Sequence, residues 1–133
     1  MNFKLFMVIV IGVLTFPILA KEIVLTKQLD FSRATHERTV VGLVKGFDTK
    51  AYEIKVNYSQ TMSVTLDSSI VYFKIYSPNK RLGNDAMFDG KSQGNHFVDV
   101  LLKSGIYIIK VYLIDEEAEK DTKTIYNMRI GLK

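Results

Sequence analysis

The chain has 133 residues, 18 Lys and Arg against 14 Asp and Glu for a formal net charge of +4, and no cysteine. That length suits one domain with a hydrophobic core of its own. The lack of cysteine excludes disulfide staples, thiol catalysis and cysteine-ligated metals, and the modest, unclustered positive charge argues against nucleic acid as a partner.

Lys4 is followed by an uncharged run from Leu5 to Ala20, with Pro17 near its end and Lys21-Glu22 just beyond. A short basic start, an apolar middle and a small residue before the charges form the layout of a secretory signal peptide. Residues 1–20 are therefore read as a signal removed after Ala20, and residues 21–133 as the mature domain. The run is shorter than the about 20 apolar residues that span a bilayer, so no membrane contact is expected after cleavage. Loss of Lys4 takes Lys and Arg from 18 to 17 against 14 acids, a net of +3. Asp115 to Asp121 holds five acids and one lysine, so a basic body carries one acidic loop. Such a pattern suits orienting a partner, and equally suits a solvated hairpin tip.

Glu22 to Phe31 alternates weakly and predicts an edge strand, and Ser32 to Glu37 predicts a loop. Arg38 to Lys45 is a second strand, in which Gly42 marks a bulge or a close backbone approach. Gly46 to Lys50 is a turn; Ala51 to Val56 is a strand presenting Tyr52, Ile54 and Val56 to one side. After a turn at Asn57 to Gln60, Thr61 to Asp67 puts Met62, Val64 and Leu66 inward. Ile70 to Tyr76 has Val71, Phe73 and Ile75 on one face and Tyr72, Lys74 and Tyr76 on the other. The long stretch from Ser77 to Asn95 contains a short strand at Ala86-Met87-Phe88, and His96 to Leu102 is another strand. Ser104-Gly105 then opens the most strand-like segment, where Tyr107, Ile109, Val111 and Leu113 share the core face and Lys110 marks a partly wet one. A turn of helix fits Glu116 to Asp121, and Ile125 to Leu132 closes the domain with Tyr126, Met128, Ile130 and Leu132 inward. Seven to eight short strands with polar turns and no sustained helical period predict an all-β fold, an antiparallel β-sandwich.

Residues with chemistry are sparse. His36 and His96 lie beside strand ends in no metal-ligand spacing, and the nucleophile-elbow, phosphate-loop and zinc-protease motifs are absent. The acidic loop lacks the alternating ligands and bend-forming glycine of a calcium loop, and crowded exposed carboxylates lack the differentiated environments of an acid–base pair. No metal, cofactor or catalytic role is expected.

Gly42-x-x-Lys45-Gly46-Phe47-Asp48, the Tyr52 strand, Ser104-Gly105-x-Tyr107-x-x-Lys110-Val111, the charged loop around Ala118 and the closing Tyr126-Asn127 occur in this order over most of the mature chain. Together they resemble the periplasmic inhibitors of g-type lysozyme of Gram-negative bacteria. The Ser-Gly-x-Tyr turn is also similar to that of the inhibitors of invertebrate-type lysozyme. The resemblance implies a β-sandwich similar to the bacterial pre-peptidase C-terminal domain, periplasmic localisation, and a non-enzymatic protein whose loops enter a lysozyme substrate cleft. Its implied contact residues are Phe47, Asp48, Ser104, Tyr107, Asp115 and Glu119. For Tyr107 this conflicts with the alternation, which places the ring inward. Two departures stand out: Phe47 replaces a usual Tyr, and Asp115-Glu116-Glu117-Ala118-Glu119 stands where the family pattern is basic. The alternative reading is an envelope module whose basic body contacts peptidoglycan or acidic carbohydrate.

Overall fold

The structure, a computed structural model, describes residues 23–32, 35–79 and 85–133. The expected signal peptide lies outside the described residues. The strands are β1 Val24–Leu29, β2 Glu37–Lys45, β3 Thr49–Val56, β4 Thr61–Leu66, β5 Val71–Tyr76, β6 Phe88–Asp89, β7 His96–Val100, β8 Gly105–Leu113 and β9 Lys123–Leu132. Two single-turn helices, α1 Gly90–Gln93 and α2 Asp115–Glu119, interrupt them. The β-sandwich expectation holds, with nine strands among the described residues because Phe88–Asp89 forms a two-residue strand of its own.

One sheet has the order β1-β3-β8-β5-β6 and the other β2-β9-β4-β7. β8 is central, as its composition predicted. Its Tyr107, Ile109, Val111 and Leu113 pack with Ile54, Val56, Phe73 and Ile75 against Met62, Val64, Met128 and Ile130 of the facing sheet. Met62 and Met128 are fully buried. Each strand commits alternate side chains to the space between the sheets, which is why a period of two located the core.

β1 departs from the antiparallel expectation: it pairs in parallel with β3, Val24 opposite Thr49 through Leu29 opposite Ile54. The chain runs up β1, down β2 in the other sheet and up β3, so β1 and β3 share a direction. The outer face of β8 is partly wet as expected, with Ile108 and Tyr112 half-buried, but Lys110 is drier than its neighbours. It lies on the outer face but is only 9% exposed, and Tyr76 on the same face is buried. These positions belong to interior strands, where neighbouring long side chains cover what alternation alone would leave wet.

Gly42 is a close approach, made by a side chain. It pairs across strands with Tyr126, and a Cβ on Gly42 would fall 2.3 Å from the Tyr126 hydroxyl. The Tyr126 ring passes over the glycine, and its hydroxyl hydrogen-bonds Tyr52 Oη of the facing sheet.

Candidate functional site

At one end of the sandwich the β2–β3 turn lies against the connection from β8 to β9. Gly46 turns with φ 58°, a left-handed conformation that glycine adopts without strain. Its N–H donates to Thr122 O at 2.9 Å, and Asp48 N–H donates to Lys45 O at 3.1 Å. Lys45 Nζ meets Asp121 Oδ2 at 2.7 Å, and that hydrogen bond and charge raise the lysine pKa. The turn is thus held from two sides, and it presents Phe47 at 42% exposure.

The acidic segment forms α2, near where a helical turn was expected. Asp115, Glu116 and Glu117 occupy its first turn, where the exposed N–H groups favour negative charge. Ala118 faces the core. Glu117 accepts from Thr122 Oγ1 at 3.0 Å and from Lys120 Nζ at 3.3 Å, and these contacts hold its carboxyl below the usual range. Two of the five acids, Glu117 and Asp121, therefore tie the hairpin together, while Asp115, Glu116 and Glu119 stay exposed.

Between these loops lies a cleft of about 320 Å³ lined by Gly46, Phe47, Thr49, Lys74, Lys110, Tyr112, Leu113 and Asp115. Phe47 and Asp115 stand on its lining together with groups that sequence reasoning missed. Tyr112 Oη donates to Asp89 Oδ1 at 2.6 Å, and Lys74 Nζ sits 5.2 Å from the Tyr112 ring centroid. Burial, reinforced by the Asp89 carboxylate, pushes the Tyr112 phenol up. These residues meet because β5, β8 and β3 are neighbours, with Lys74 opposite Lys110 and Tyr72 opposite Tyr112. No local motif announces such a register.

Of the six expected contact residues, Phe47, Asp48, Asp115 and Glu119 share this end. Ser104 does not. It is exposed just before β8, whose nine residues separate it from Asp115 by about 30 Å. Gly105 beside it has φ 140°, and a Cβ there would sit 2.8 Å from Pro78 Cγ, so this turn too requires glycine. Of the two readings of Tyr107, its position matches the core one. It is 2% exposed, its hydroxyl donates to Lys103 O at 2.7 Å, and burial raises its pKa. Both histidines are exposed, His96 exchanging a hydrogen bond with Thr65. Among the described residues no cluster of ligating side chains could hold a metal ion.

No family model and no curated protein matches this sequence. Solved structures do. That of Aeromonas hydrophila PliG, a periplasmic inhibitor of g-type lysozyme, matches with a TM-score of 0.77 at 23% identity, covering 85% of this chain and 100% of that one. This chain has the PliG fold. Salmonella Typhimurium PliG matches with a TM-score of 0.66 at 20% identity, covering 82% and 98%. A mutant of Escherichia coli PliG matches with 0.65 at 20% identity, covering 84% and 99%. At these identities the likeness to PliG is one of architecture.

Proposed function

We propose that this protein is a periplasmic inhibitor of g-type lysozyme that presents the Phe47 end of its sandwich to the enzyme's substrate cleft. The reading rests on the exposed Phe47 ring, carried on a turn pinned by Gly46–Thr122 and Lys45–Asp121. A large apolar side chain on a prefixed turn loses little freedom on binding, which is what an anchor residue requires. The shared fold with three inhibitors of g-type lysozyme supports it. Asp48, next to the anchor in the turn, and Asp115 and Glu119 of α2 would add polar and charged contacts at this end. No step of this function needs a cofactor or makes the protein an enzyme. Export through a cleaved signal peptide would place it where it protects peptidoglycan from host lysozyme.

The experiment is titration of the exported protein against g-, c- and invertebrate-type lysozymes in a cell-wall lysis assay. Inhibition of the g-type enzyme is expected, and its absence at micromolar inhibitor would overturn the reading.

The cleft beside Phe47 favours one alternative. Lys74, Lys110 and Tyr112 around a polar hollow suit an acidic sugar, as an envelope-binding module would need. Sedimentation with purified peptidoglycan separates the two: an inhibitor stays in the supernatant, a wall-binding module does not.

A further inference from the structure

Among the described residues, the four edge strands of the sandwich differ in how they are closed. β6 has two residues. β7 has five and carries Asp99, whose own carboxylate accepts from the next backbone N–H, Val100, at 2.8 Å. β1 has Lys27 in its middle. Short length, central charges and side chains that occupy backbone donors all discourage pairing with another chain.

β2 has none of these guards. It runs nine residues in unbroken one-to-one register with β9, from Glu37 opposite Gly131 to Lys45 opposite Lys123. It holds no proline and no bulge, and Thr39 to Val44 is uncharged. Val41 is 64% exposed on the outward face, where Leu43 and its cross-strand neighbour Ile125 extend the apolar surface. A groove of about 240 Å³ separates Val40, Val41 and Gly42 from Leu25, Thr26 and Lys27 of β1, which pairs with β3 and leaves the β2 edge unpaired.

We propose that the β2 edge pairs antiparallel with the β2 edge of a second copy of this chain, around a two-fold axis at Val41. The charges favour that occupant. Antiparallel self-pairing at Val41 places Glu37 opposite Lys45 of the other copy, and Lys45 opposite its Glu37, with Thr39 facing Leu43 between them. All these side chains lie on the outward face. Lys45 has Lys123 directly across from it and Asp121 as its present partner. An incoming Glu37 would offset the remaining positive charge of the two lysines. The two four-stranded sheets would become one continuous eight-stranded sheet, with the two Phe47 turns at opposite ends.

Sedimentation equilibrium of the exported protein tests this without reference to lysozyme. Dimers are expected at micromolar to submillimolar concentration. Glu37→Lys and Lys45→Glu should each be monomeric, because each opposes like charges at both ends of the pairing. An equimolar mixture of the two variants should dimerise again, since every lysine then faces a glutamate. Val41→Lys, a change at an exposed position that sets two lysines on the axis, should be monomeric and folded, and it decides the matter should Lys45→Glu melt early. A wild-type protein that remains monomeric up to about 1 mM overturns the proposal. So do dimers that survive Val41→Lys or both single charge reversals, or a mixture of folded variants that fails to reassociate.

Discussion

Tyr52 and Tyr126 join the two sheets through their hydroxyls, in the core and directly above Gly42. Each ring is almost fully buried, so removing either hydroxyl strands the other without a partner. Tyr52→Phe and Tyr126→Phe should each destabilise the fold by about 1–3 kcal/mol. The double variant should lose less than the sum, because no orphaned hydroxyl remains. Gly42→Ala should cost about 1–3 kcal/mol by displacing the Tyr126 ring. Urea unfolding of the four variants beside wild type checks all three statements, and additive losses in the double variant would contradict the coupling.

Alkaline pH should act on the same pair. Burial raises the pKa of Tyr52, Tyr107 and Tyr126, and burial with the Asp89 carboxylate raises that of Tyr112. These phenols then ionise first in the unfolded chain. The stability they contribute is fully present below the unfolded value of about 10 and is lost as pH climbs towards the folded values. Urea midpoints measured from pH 8 to 11 should fall steeply above about pH 10, and less steeply in the Tyr52→Phe, Tyr126→Phe double variant. A flat profile in wild type would contradict the assignment.

Phe47→Ala should weaken inhibition of g-type lysozyme at least tenfold, about 1.4 kcal/mol or more. Its melting temperature should stay near that of wild type, since the ring is exposed. Lysis assays paired with thermal melts check both. Retained potency would remove Phe47 from the contact surface.

Ser104→Ala should change neither stability nor inhibition, because Ser104 lies at the far end of β8. Tyr107→Ala should cost about 3–5 kcal/mol, as for other large buried aromatics, without altering potency per folded molecule. Active-site titration after urea analysis separates the folded fraction from affinity. A stable Tyr107→Ala protein that no longer inhibits would contradict its core assignment.

The exposed acids of α2 should govern encounter with the enzyme. Glu117 and Asp121 are paired with Lys120 and Lys45, so Asp115, Glu116 and Glu119 carry the unpaired outward charge, Asp115 and Glu119 at the two ends of the turn. Asp115→Arg with Glu119→Arg should slow association, and wild-type association should slow as salt rises from about 20 to 200 mM. Stopped-flow rates decide. Faster association or stronger inhibition by the double variant would contradict a role for these acids in encounter.

Alternation in β3, β4, β5, β8 and β9 named the core because each strand exposes one face to the other sheet. Gly42 was legible as a special position, expected to be a bulge or a close backbone approach, but the strand is regular there and the group that comes close is the Tyr126 ring. What alternation does not encode is partner and direction. The parallel pairing of β1 with β3 follows from β2 having crossed to the other sheet, and Lys110 is buried because β3 and β5 flank it. Of the candidate site, Phe47, Asp48 and the acidic turn were nameable from sequence because each is local in the chain. Lys74 and Tyr112 join Phe47 only through strand order. Tyr107 carried two readings, contact by resemblance and core by alternation, and its ring lies in the core, while the length of β8 sets Ser104 apart from the Phe47 end.

The methionines bear on how this protein meets oxidants. Met87 is exposed, whereas Met62 and Met128 have no solvent contact. Peroxide or hypochlorite should therefore convert Met87 to its sulfoxide while the sandwich stays intact. Sulfoxidation of Met62 and Met128 requires the sheets to part, and the polar sulfoxide would then hinder their closing. The rate at which those two sulfurs gain oxygen, followed by peptide mass spectrometry, becomes a clock for core opening. Met87, oxidised in the closed molecule, reports the dose.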